Sequence, residues 1–170
     1  MSKSLNRLHI IGGPGSGKSE LAARLAAFID APTIRLDDIA FHGGASSRFD
    51  NPKTRASRIK LVDEYSAEPR WIAEGVYFSW VGKSFREAHQ IIVLKTPEHI
   101  RAHNIRQRMC ASGECIRTAD QLNYLLQKNR EYDLLFQERI AGFLSPFQDK
   151  VRVFSGPGKA YKHFQRVLTG

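Results

Sequence analysis

The chain's 170 residues, 42% apolar and 25% charged, suffice for one domain with a buried core and are ordinary for a soluble globular protein. No apolar run approaches the ~20 residues of a membrane span, which excludes a membrane-spanning helix. A net charge of +9 points to an anionic partner, and a nucleotide, a nucleic acid or an acidic surface would each satisfy it. Two cysteines, Cys110 and Cys115, fit a reducing cytoplasm better than a disulfide framework. The first residues, MSKSLNRLHII, lack the long apolar stretch of a secretory signal, so a cytoplasmic protein is expected.

Leu8, Ile10 and Ile11 read as a buried strand. Directly after it, Gly12, Gly13, Pro14, Gly15, Ser16, Gly17, Lys18 and Ser19 match G-x-x-x-x-G-K-[ST]. ELAARLAAFI follows with Leu21, Leu25, Phe28 and Ile29 at helical spacing. Strand, glycine loop and helix are the context in which this motif cradles phosphate. Glycines let successive N–H groups turn toward an anion, and the helix N-terminus adds its positive end. Pro14 stiffens the loop. Lys18 is expected to reach the β- and γ-phosphates, and the Ser19 hydroxyl to ligate Mg²⁺, so ATP and Mg²⁺ are the implied cofactors.

Residues 33–36, TIRL, read as a second strand with Asp37 and Asp38 at its C-terminal end. Residues 42–51 are loop-like, and Asn51 then serves as N-cap with Pro52 at the first helical position. The helix KTRASRIKLVDEYSA has a thin apolar seam at Ile59, Val62 and Tyr65. Trp71-Ile72-Ala73 is a third strand ending at Glu74-Gly75, followed by a loop and a short helix. Ile91 to Leu94 is a fourth strand, and Thr96-Pro97-Glu98 starts a helix. Thr118 and Gln121 form a capping box that opens a long amphipathic helix running to Ile140. Val151, Val153 and Phe154 make a fifth strand. Gly156-Pro157-Gly158 is a turn, and Tyr161, Phe164, Val167 and Leu168 mark a closing helix. Alternating strands and helices predict a parallel sheet covered on both faces, with ligands at the C-terminal ends of the strands. That rule gathers Gly12–Ser19, Asp37, Asp38 and Glu74 along one edge.

The edge has the ingredients of phosphoryl transfer, which needs charge neutralisation and positioning more than covalent chemistry. Asp37 is a candidate base for a hydroxyl acceptor, or a partner of Mg²⁺ acting through water. Asp38 either contributes to the substrate site or caps the next turn. Glu74, an acid at the end of an apolar strand, suits water-mediated contact with Mg²⁺ or a turn before Gly75. Arg48, Arg55 and Arg58 either clamp an anionic acceptor or remain solvated surface charge. His42, beside Gly43-Gly44, can touch substrate, while His9 reads as structural. Tyr77, Phe78 and Trp80 either stack on an acceptor ring or belong to the core. Cys110 and Cys115 lack metal-site spacing and read as ordinary thiols.

Taken together, the loop opening at Gly12, LDDIAFHG, WIAEGVY and IIVLKTPEHIRAHNIRQR resemble the adenylate-kinase-like P-loop proteins, nearest the DNA topology modulation group. The resemblance covers nearly the whole chain. It implies a three-layer α/β/α sandwich around a five-stranded parallel sheet of order 2-3-1-4-5. It also implies a single domain over 1–170, an acceptor-binding region at about 38–70 and a lid at about 106–120. The lid would bring Arg108, and Arg106 with it, to the transferring phosphoryl group. Asn104 stands where adenylate kinases usually offer an arginine, and Lys95 replaces the acid common after the fourth strand. The expected activity is transfer of the γ-phosphoryl group of Mg-ATP to a small-molecule or nucleotide acceptor, by a monomer or homodimer. The alternative is a nucleotide-dependent regulator that binds nucleic acid.

Overall fold

Strands of this chain are nearly continuous apolar runs, because each face of the sheet is covered by helices. The computed structural model describes residues 5–43, 51–108 and 118–169. Across them, β1 (Arg7–Gly12), β2 (Thr33–Arg35), β3 (Trp71–Gly75), β4 (Gln90–Leu94) and β5 (Val151–Phe154) form one parallel sheet in the order β2-β3-β1-β4-β5. Register aligns Ile11 with Gly75 and Gly12 with Leu94, and Arg35 with Glu74, so the strands' C-terminal ends share an edge.

Alternation sorts the side chains. Leu8, Ile10, Ile72, Ile92 and Leu94 face α1 (Lys18–Ile29) and the C-terminal helix (Pro157–Thr169), meeting Leu21, Leu25 and Phe164. Ile11, Trp71, Ala73, Ile91 and Val93 face the opposite layer. That layer holds α2 (Leu36–Ala40), α3 (Arg55–Ser66), α4 (Gly82–Glu87) and the C-terminal part of the chain's longest helical run. Each fully buried Leu or Ile contributes about 1.5–3 kcal/mol, which ties the sandwich to its sequence. His9 is buried in the second layer, with Nδ1 2.7 Å from Ser84 Oγ and its ring edge on Phe85. Burial lowers its pKa to about 3, so it is neutral in the fold. Among the described residues no helix is long and apolar enough to cross a membrane.

Several element boundaries differ from the sequence reading. β2 stops at Arg35, and Leu36 to Ala40 turn at once into α2, so Asp37 and Asp38 lie in a helical first turn rather than at a strand tip. Asn51 does not cap α3. Phe41 and Pro52 form an antiparallel bridge, flanked by His42 N–H to Asn51 O and Lys53 N–H to Ala40 O, both 2.9 Å. That pairing holds Asn51 and Pro52 extended. Thr54 is left to cap, accepting from Ser57 N–H at 3.2 Å. Pro157 does not sit in a turn; it opens the C-terminal helix, where a fixed φ and missing N–H cost nothing.

The long helix is also interrupted. α5 (Glu98–Gln107) is followed by α6 (Ala119–Leu135), which Thr118 caps through Gln121 N–H as expected. A π turn, Phe136–Ile140, then replaces the predicted α continuation, and α7 (Ala141–Leu144) follows; the C-terminal helix is α8. An unbroken α-helix would bring Arg139 and Phe143 round to the face of Tyr132. The wide turn delays the face by one residue, and Ile140 and Leu144 are the ones that enter the core.

Candidate active site

The loop between β1 and α1 is shaped for an anion. Gly15 and Gly17 have φ of 76° and 89°, a left-handed backbone that L side chains rarely adopt. Gly17 is the N-cap of α1, and no side chain caps the helix among the described residues. The first N–H groups of α1 are thereby left for a ligand. Ser16 is buried, and its hydroxyl finds no hydrogen-bond partner among the described residues. A buried polar atom left unpaired costs stability.

Lys18 folds back across the loop, its ammonium donating to Gly13 O at 2.8 Å. Burial lowers its pKa to about 8; Glu74 and Asp37 oppose that shift, while Arg108 and Arg101 add to it. Two carboxylates and two guanidinium groups therefore act on this one ammonium. Ser19 Oγ donates to Glu74 Oε1 at 2.9 Å, joining the helix start to the end of β3. Asp37, on α2, accepts from the Tyr77 hydroxyl at 2.7 Å. Ser19, Glu74 and Asp37 thus converge on the loop mouth. Mg²⁺ commonly takes one or two carboxylates plus substrate phosphates, and these residues fit that need. Among the described residues no cluster of three His, Cys, Asp or Glu side chains exists that would hold a metal without phosphate.

The outer residues divide. Asp38 is exposed on α2, and its backbone carbonyl accepts from Lys53 Nζ at 2.8 Å. His42 is exposed at the bridge between residues 41 and 52. Arg55 donates to Ser79 O at 2.9 Å, and Arg58 donates to Lys53 O at 2.8 Å with its guanidinium over the Trp80 ring. Both arginines brace the backbone around the site. Arg108 is the C-cap residue of α5 and Arg106 lies two residues earlier, both exposed; Arg108, not Arg106, is among the charges acting on Lys18. Trp80 is core, while Tyr77 reaches the site through its hydroxyl. Arg48, Cys110 and Cys115 lie outside the described residues.

Sequence reasoning missed the residues behind the loop. The Thr96 hydroxyl, read as a helix cap, donates to Ser16 O at 2.9 Å; Pro97 occupies the cap position. Asn104 Nδ2 donates to Gly15 O at 2.9 Å. Arg101 is buried, and the Tyr132 ring packs against Gly13. The one signal for them was an Arg and an Asn three apart on a helix whose apolar seam is thin.

The topology and the glycine loop together decide the fold. It is that of the P-loop kinases. Solved structures share it across almost the whole chain. A gluconokinase from Sinorhizobium meliloti 1021 is 14% identical with a TM-score of 0.62, covering 96% of this chain and 91% of its own. A shikimate kinase from Bacteroides thetaiotaomicron is 14% identical with a TM-score of 0.63, covering 96% and 98%. No protein-family model matches the chain, and no curated protein matches it in sequence. The narrower resemblance to the DNA topology modulation group gains no support from these comparisons.

Proposed function

We propose that this protein is a Mg-ATP-dependent kinase that phosphorylates a hydroxyl group of a small molecule. The observation that carries the reading is the loop mouth, where Lys18 lies folded across the glycine loop on Gly13 O and Ser19 is joined to Glu74. Lys18 would leave Gly13 O and follow the β- and γ-phosphates. Bound Mg²⁺ would neutralise charge on those phosphates, held by Ser19 with Glu74 and Asp37 nearby. Residues 38–70 form the acceptor side and residues 106–120 the lid in this reading.

Asp37 supports a hydroxyl acceptor over a nucleoside monophosphate. A hydroxyl must lose its proton as the oxygen attacks phosphorus, and a carboxylate at the site can take it. The Tyr77 hydroxyl donates to Asp37 and orients the carboxylate. A phosphate acceptor would instead need free arginine clamps, and Arg55 and Arg58 already serve backbone carbonyls. In the transfer, the bond from γ-phosphorus to the bridging oxygen breaks. The bond to the acceptor oxygen forms, and the acceptor proton passes to Asp37. Arg108, whose charge reaches Lys18, would balance charge on the transferring group in this reading, a role worth a factor of about 10³ or more in kinases and GTPases.

The test is ADP formation from ATP, scanned over hydroxyl acids, polyols, nucleosides and nucleoside monophosphates. One hydroxyl class should stimulate turnover. Asp37→Asn should abolish that turnover with ADP affinity kept, and Arg108→Ala should lower kcat far more than ADP affinity. Stimulation by a monophosphate alone overturns the hydroxyl reading. Failure to bind ATP, with binding of DNA that weakens steeply in salt, overturns the kinase in favour of a nucleic-acid regulator.

A further inference from the structure

We infer that Arg101 is a positioning residue for the phosphate cradle: it fastens α5 to α6 behind the loop, and the resulting wall fixes which way the loop's peptide groups face. The inference rests on reading that loop as the phosphate site. Arg101 is 1% exposed, at the centre of a buried knot. Its Nε donates to Asn129 Oδ1 at 2.5 Å, and a terminal nitrogen donates to Asn129 O at 3.0 Å. The other terminal nitrogen donates to Thr96 O at 2.7 Å and to Asp133 Oδ1 at 2.9 Å. Asn129, itself fully buried, passes the link on: its Nδ2 donates to Glu98 Oε1 at 2.7 Å and to Glu98 O at 3.2 Å. A planar fork with fixed donor directions suits this pattern, and a lysine cannot reproduce it.

The knot is in direct contact with the loop. The backbone carbonyl of Arg101 lies so close to Gly15 that a Cβ there would overlap it, and Ile105 Cγ1 lies 3.0 Å from the same point. A Cβ on Gly13 would fall 2.8 Å from the Tyr132 ring and 3.2 Å from Arg101 Nε. The Arg101 guanidinium is 5.3 Å from the centroid of that ring. Two loop carbonyls are then tethered from the same wall: Gly15 O by Asn104 and Ser16 O by Thr96.

A tethered carbonyl has a consequence on the far side of its peptide plane. The C=O of one residue and the N–H of the next point in opposite directions across a trans peptide. Pulling Gly15 O toward α5 turns the Ser16 N–H into the loop, where it meets Gly13 O at 3.2 Å. Pulling Ser16 O toward Thr96 does the same for the Gly17 N–H. The wall thereby aims amide hydrogens into the loop before any phosphate arrives, so a ligand need not spend binding energy ordering them.

The positive charge of Arg101 is also felt by Lys18, in keeping with its place directly behind the cradle. Asp133, half of whose surface remains open to water, balances that charge only in part.

Thr96→Val, Asn104→Ala and Arg101→Lys test the inference, with ADP affinity by calorimetry and amide exchange of the loop in the ligand-free full chain. Thr96→Val and Asn104→Ala each remove one tether and leave the knot in place. Each should weaken ADP about fivefold to tenfold and speed exchange at Ser16 and Gly17, with the melting temperature lowered by only a few degrees. Arg101→Lys should reproduce both effects in one change. Because it can also unfold the protein, the tether variants decide. Unchanged loop exchange and ADP affinity in both tether variants overturn the inference. So does a loss of ADP affinity that only parallels a loss of melting temperature. If the wild type fails to bind ADP while loop exchange still rises in the tether variants, the wall stands and the kinase reading is what fails.

Discussion

Lys18 is the residue whose titration should be visible in binding. In the nucleotide-free protein its pKa is about 8, lowered chiefly by burial. Only the ammonium form attracts phosphate, so apparent ADP affinity should track the charged fraction of the free protein. Affinity should be level below about pH 7 and halved near pH 8. It should be about tenfold weaker at pH 9 and about a hundredfold weaker at pH 10, a slope of about 1.4 kcal/mol per unit. A lysine with the usual pKa of 10.5 would keep affinity level through most of that range. Stability moves the other way. The folded pKa lies below the unfolded one, so between about 8 and 10.5 the unfolded chain holds more protons, and the fold gains stability as pH rises through that window. Lys18→Met should therefore stabilise the ligand-free fold, by at most about 3 kcal/mol. The gain will be smaller where water reaches the half-buried side chain. The same change should cost orders of magnitude in ADP affinity. Calorimetry with ADP from pH 7 to 10, beside thermal melts of both proteins, reads all of this. Level affinity to pH 9.5, or a Lys18→Met protein that melts lower than wild type, would refute the reasoning.

Gly15→Ala combines a φ of 76° with a Cβ driven into the Arg101 carbonyl. It should destabilise the fold by about 1–3 kcal/mol and abolish ADP binding, as read by melts and calorimetry. Glu74→Gln keeps an acceptor for Ser19 Oγ but removes a charge. The Mg²⁺ concentration for half-maximal turnover should rise, while ADP binding without Mg²⁺ improves or stays level. His9 is neutral in the fold with a pKa of about 3 against an unfolded 6.5. The unfolded chain takes up the proton first as pH falls, so stability drops by about 1.4 kcal/mol per unit below pH 6.5. Denaturant melts between pH 7 and 5 should show this slope, and His9→Gln should flatten it.

Local signals carried the site's front and long-range contacts built its back. The residues from Gly12 to Ser19 announce a phosphate loop because glycine, lysine and serine requirements all fall within eight neighbours. Glu74 and Asp37 could be placed because the edge of a parallel sheet is set by strand order. Thr96 and Asn104 reach carbonyls 80 and 89 residues away in sequence, and no spacing rule ties a helix asparagine to a distant glycine. Asn51 and Thr54 are both good caps by residue type, and the bridge at Phe41 and Pro52, itself non-local, decides between them. Pro157, read from the sequence as part of a turn, opens α8 instead, because its fixed φ suits a first helical position equally well.

The π turn at Phe136–Ile140 makes the length of this helical segment a constraint in its own right. Deleting a single amino acid there, Gln137 for example, would let the coil tighten to an ordinary pitch and rotate everything downstream. The guanidinium of Arg139, now open to solvent above the Phe78 ring, would be carried toward the apolar underside of the sheet. A charge stranded there without a counter-ion costs several kcal/mol. Substitutions at the exposed Gln137, Glu138 and Arg139 should therefore be tolerated far more readily than the loss of any one of them.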